Sequence, residues 1–265
     1  MWHPTSFPTQ QKGQFYLAKT YAYYESWRPY VWVWVAVYVV LMTKLVPRVR
    51  LTEKNGALSN LIMNLWNIFM ASVYGMVVMF TGMDVWESIW KGPHYALCVA
   101  GDMYTDMFVG YVLSVFVFAK IIAPVTPLLV GLRGRKFDII QKIYSPVASI
   151  VVLYSYFNAG VSLRHLAFYD SWYHFIHHAF YALAPHEKEI AKAKGIVFAF
   201  QFGFVIGHCL SLLASAIYML LDYECDVWLR TFVTYYVINI VLLYMMGTEI
   251  IEFCKDIYID LKKEE

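Results

Sequence analysis

Long apolar runs with almost no charge inside them constrain this chain more than any other feature. Of its 265 residues, 60% are hydrophobic and only 15% are charged, whereas soluble domains carry roughly 45–50% apolar and 25% charged residues. So few ionisable groups cannot cover a water-facing surface. The same composition excludes a disordered chain. In lipid, every backbone N–H and C=O must find a partner within the protein. A run that alternates like a strand, Tyr30-Val31-Trp32-Val33-Trp34-Val35, therefore has to become a helix. The predicted fold class is an all-α polytopic membrane protein.

A transmembrane helix needs about 20 mostly apolar residues. Candidate runs are Tyr30–Val46, Leu58–Phe80, Met107–Val130, Ser145–Phe157, Ser171–Ala184, Gly195–Leu221 and Thr231–Ile251. They give about seven helices, with six or eight as alternatives, because the fourth and fifth runs are short and polar. Pro124 and Pro127 remove backbone donors and should kink or end the third run. Residues 1–28 form a polar, aromatic arm without the apolar stretch of a signal peptide. Residues 29–251 form one membrane domain with neither repeat nor linker, and 252–265 a polar tail.

Charge sets the expected orientation. The segments 43–56, 131–142 and 185–194 together hold eleven Lys and Arg, against three in 81–106, 157–170 and 222–230. The first set belongs on the cytosolic side. That puts the N-terminus outside or in a lumen and the C-terminus in the cytosol. The ending Lys262-Lys263-Glu264-Glu265 matches a dilysine retrieval signal of the endoplasmic reticulum. A mitochondrial inner membrane is the alternative if the chain is a complex subunit. Trp27, Tyr30, Trp86 and Trp90 fall near helix ends, where interfacial belts form. The net charge of +2 suggests no nucleic-acid partner. Cys98, Cys209, Cys225 and Cys254 show no framework spacing and read as buried free thiols.

The most conspicuous polar cluster is Ser171-Trp172-Tyr173-His174-Phe175-Ile176-His177-His178. On a helix, three histidines at i, i+3 and i+4 share one face, and polar groups within a membrane mark candidate functional sites. Three chemistries compete: a metal site, acyl transfer or proton abstraction by a neutral imidazole, and structural hydrogen bonding. The metal reading is disfavoured, since His3, His94, His165, His186 and His208 form no second box. No metal or cofactor is expected.

In order and spacing the chain resembles the ELO family of very-long-chain fatty-acid elongases, the membrane 3-ketoacyl-CoA synthases, from about residue 28 to 265. The likeness rests on Leu45-Val46-Pro47-Arg48, Leu65-Trp66-Asn67, Leu132-Arg133-Gly134-Arg135-Lys136 and the closing run from Leu243 to Lys263. The family's Lys-x-x-Glu-x-x-Asp-Thr motif corresponds to Lys120, Ala123, Thr126 and Pro127. Its catalytic His-x-x-His-His corresponds to Lys142, Ser145 and Pro146, with no imidazole. Its later His-x-x-Met-Tyr-x-Tyr-Tyr resembles His174, His177, His178, Phe180 and Tyr181. Gln201 and His208 match later family positions.

The resemblance implies a helix barrel around an acyl tunnel, the bilayer as environment and a bound lipid or acyl chain as ligand. It also implies a degenerate site, because neither Ala123 nor Thr126 replaces a carboxylate, and Ser145-Pro146 replaces no imidazole pair. Two functional expectations follow. One is a pseudoenzyme serving as a structural or lipid-holding subunit among other membrane proteins. The other is an active elongase, using acyl-CoA and malonyl-CoA through a relocated site of His174, His177, His178, Gln201 and His208.

Overall fold

The computed structural model describes residues 17–48, 56–133, 139–156, 160–183, 193–227 and 229–264. Several expectations fall outside them: most of the arm, the 185–192 basic segment, Gly134 to Lys136, His3, His186, and the side chains of Cys254 and of the tail lysines. The described elements are helical. They are α1 (Leu17–Val40, continued by a π turn at Leu41–Leu45), α2 (Gly56–Trp90), α3 (Pro93–Cys98), α4 (Met107–Ile122) and α5 (Val125–Leu132). They continue as α6 (Ile139–Ser155), α7 (Ser162–Leu183), α8 (Lys194–Leu220) and α9 (Leu229–Glu264).

Four stretches among the described residues are long and apolar enough to cross a membrane: Leu58–Trp90, Met107–Leu132, Lys194–Leu220 and Leu229–Thr248. The others fall short of a spanning pattern, by brevity in α6 and by polarity in α7, which contains Arg164, Asp170 and four histidines. The alternating run does form helix, within α1. The third run breaks after Ile122, and Pro124 caps the start of α5, as a residue lacking an N–H should. Asp106 caps α4 by accepting from the backbone N–H groups of Phe108 and Val109.

α7 lies between α2 and α8 and packs on both. Gly75 lets α2 approach it closely, since a Cβ there would sit 3.2 Å from the Phe175 ring. The main core fills with Met70, Tyr74, Phe116, Leu153, Tyr156, Leu163, Leu212 and Tyr235, from α2, α4, α6, α7, α8 and α9.

One end of the bundle is knitted by three connections, those after α3, α6 and α8. The Asp226 backbone N–H donates to the Cys98 carbonyl (2.7 Å), its carbonyl accepts from Val161 N–H, and its carboxylate accepts from Ala100 N–H. Gly160, at φ +53°, passes so close to Asp226 that a Cβ would collide with its carbonyl oxygen. Arg164, almost wholly buried, donates to Asp84 and to the carbonyls of Val99 and Ala100. The Tyr104 hydroxyl lies 3.1 Å from the Tyr156 and Gly160 carbonyls, and burial holds its pKa well above the usual phenol value.

The cysteine expectation needs correction at this end. Cys98 and Cys225 form a disulfide, while Cys209 is a half-buried free thiol. Separated by 127 residues, the pair has no local signature, and only the docking of the loop after α8 onto α3 joins them. A disulfide persists on the oxidising side of a membrane. Its two segments are among those poor in Lys and Arg, the side that the loop charge leaves outside or in a lumen.

Two outcomes follow. In sealed vesicles, an impermeant maleimide should label Cys98 and Cys225 only after reduction, and only from the face opposite the Lys- and Arg-rich loops; labelling from that loop face would invert the orientation. Arg164→Met leaves the Asp84 carboxylate without its partner and should cost about 3–5 kcal/mol, read by thermal unfolding in detergent, with Arg164→Met/Asp84→Leu recovering most of it.

Candidate functional site: a buried lysine–aspartate pair and a histidine-lined cavity

The interior meets a buried charge at the end of α4. Lys120 is 3% exposed in an otherwise apolar helix. Its Nζ lies 2.7 and 2.6 Å from the two oxygens of Asp170, on α7. It lies 3.0 Å from Nε2 of His174, one turn further along α7. An ammonium only donates, so this imidazole nitrogen accepts, and the ring carries its proton on Nδ1. The Ser149 hydroxyl donates to the Lys120 carbonyl and ties α6 to the same point.

Beside this pair is a cavity of about 160 Å³, lined from α4, α5, α6, α7 and α9. His174, His177 and His178 all line it, as one helix face predicts. His174 stacks on Tyr74 with ring centroids 4.7 Å apart. The Nδ1 of His178 lies 2.9 Å from the Oδ1 of Asn67 on α2. Tyr173 stacks on His177 at 6.3 Å. Lys120, Ala123, Thr126 and Ser145 line the same space. Residues 54 positions apart in sequence, Lys120 and His174, therefore share one chamber.

Other expected site residues lie elsewhere. Gln201 is buried and donates through Nε2 to the Tyr173 carbonyl, so it braces α7 from behind. His208 is buried against Asn239 on α9, with Nδ1 3.1 Å from Oδ1, and is not part of the cavity lining. The Lys142 carbonyl accepts from the Tyr38 hydroxyl, and Pro146 is buried; neither lines the cavity. Both sit on α6 away from the wall formed by Tyr144, Ser145 and Ala148.

By hydropathy Asp170 falls at the end of the loop 157–170, and the fold places it within α7 instead. Its signal was available: one Lys inside an apolar run requires an opposite charge, and Asp170 precedes His174 by one helical turn.

Among the described residues, the ligand atoms that converge for a metal are those of His94, Cys98 and Cys225. Their two sulfurs are bonded to each other, not ionised. His174 and His178 are each engaged by a protein partner and by the Tyr74 ring.

The GNS1/SUR4 (ELO) family model matches residues 22–260, nearly the whole chain. The protein therefore belongs to the ELO family: it is an elongase-like integral membrane protein. Among curated proteins and among solved structures, nothing matches it.

The central pair should behave as a coupled unit. Lys120→Met strands a buried carboxylate and should destabilise the protein by about 3–5 kcal/mol. Adding Asp170→Leu should restore most of that loss, and unfolding of the four species in a double-mutant cycle measures the coupling.

Proposed function

We propose that this ELO-family protein has lost decarboxylative condensation and holds a lipid as a structural subunit of a larger membrane assembly. The observation that carries this reading is the lining of the cavity. At the positions that correspond to the family's acidic motif and catalytic box, the cavity presents Ala123, Thr126 and Ser145. None of them moves a proton near neutral pH. The amine that remains, Lys120, is engaged by Asp170 and His174. The reading needs no metal or cofactor, and either the endoplasmic reticulum or the mitochondrial inner membrane accommodates it.

Size supports holding a lipid's head end. An apolar cavity of ~150 Å³ accepts a molecule the size of benzene. A chamber of about 160 Å³ thus takes a head group and its first few carbons. Thr126, Pro127, Val130 and Met245, on α5 and α9, line the chamber and are partly exposed.

A second reading has its own support: three imidazoles share the cavity beside an amine. In it, His177 or His178 takes over the acyl transfer, with acyl-CoA and malonyl-CoA as substrates. A reconstituted assay with both substrates separates the readings. No 3-ketoacyl product is expected above a protein-free control. Product that disappears in His177→Ala would establish the relocated site instead.

A further inference from the structure

We propose that the lipid held in this cavity carries a neutral hydroxyl head, of the long-chain alcohol class, and not a carboxylate or a CoA thioester. The inference rests on the lipid-holding reading and specifies its ligand.

Charge comes first. Among the residues lining the cavity, Lys120 is the single one with a fixed charge. That charge is cancelled by Asp170, whose two oxygens lie 2.6 and 2.7 Å away. A ligand therefore meets a pair with no net charge. A carboxylate entering this buried site would leave water and gain no uncompensated cation. Burying an ion without its own partner is heavily unfavourable. The several charges of a CoA moiety are excluded more strongly, and a chamber of about 160 Å³ has no room for one.

Hydrogen-bond polarity comes second. His174 accepts from Lys120 at Nε2, so its Nδ1 is a donor. The Nδ1 of His178 faces the Asn67 carbonyl oxygen and donates to it, so its Nε2 is an acceptor. Of the three imidazoles in the chamber wall, His174 thus keeps a donor and His178 an acceptor. A hydroxyl both donates and accepts, and so satisfies both. A carboxylate, ester or ketone only accepts and offers the His178 acceptor nothing. The apolar side chains of Ala123, Pro127, Val130, Leu242 and Met245 complete the wall and suit the carbons next to the head. The chamber is only partly enclosed, so the remaining chain can lie outside it.

The test compares two ligands of equal chain length, 1-hexadecanol and hexadecanoate, on the full-length protein in lipid nanodiscs. Retained radiolabel is measured at a pH well above the carboxylate range, so that the acid is ionised. The alcohol should bind at least about tenfold more tightly, a difference of about 1.4 kcal/mol. Asp170→Asn leaves Lys120 uncompensated and should reverse the preference toward hexadecanoate, while Asp170→Glu should keep the alcohol preference. Equal or tighter binding of hexadecanoate to the wild type overturns the inference and leaves lipid holding intact. An unreversed preference in folded Asp170→Asn overturns it as well. Retention of neither ligand overturns both this inference and the lipid-holding reading. If Asp170→Asn does not fold, the wild-type comparison alone decides.

Discussion

A buried ammonium cannot stand alone in a membrane protein, and the rest of this bundle is arranged around the one at Lys120. Its partner Asp170 sits on α7, so the pair sets the register of α4 against α7. His174 comes to the ammonium because it lies one turn beyond Asp170. Ala123, just past the end of α4, and Thr126, in the first turn of α5, line the same space. A second match, Arg164 with Asp84, does the same work between α7 and α2 at the other end. The polar helix α7 is thereby held by charge at two points, near its start and near its middle, and becomes the axis of the fold.

This arrangement reconciles the polarity of α7 with a bilayer. Its Arg, Asp and His side chains are not turned to lipid; Arg164, His165, Asp170, Ser171 and His178 are all buried within the bundle. The helices that face lipid carry Leu, Ile, Val and Phe instead, as Leu61, Ile62, Leu65 and Phe69 on α2 illustrate. An interior pair of opposite charges is electrically silent to a ligand, and that silence leads from structure to the proposed choice of a neutral lipid.

Particular residues show how far the sequence could be read. Pro124 announced the break between α4 and α5, because a missing N–H acts locally. The histidine face was legible from spacing alone, and the family resemblance pointed to the positions that share its cavity. By contrast, α7 begins at Ser162, nine residues before the expected run at Ser171. Arg164, His165 and Asp170 looked like loop residues, because hydropathy cannot see a partner on another helix. Gln201 and His208 were expected at the site for their chemistry, yet they support it from outside. The Cys98–Cys225 bond has no trace in the sequence, since its partners meet only through loop docking.

By itself, then, the sequence determined the solvent, the helical class, the orientation that loop charge favours, and the family. These depend on composition, backbone hydrogen bonding and local spacing, all of which are properties of a segment. Which charges pair, which histidine accepts and which donates, and which cysteines join were decided only in the tertiary structure. Each of those depends on the distance between atoms far apart in the chain, and a distance across the bundle exists only once the helices have packed.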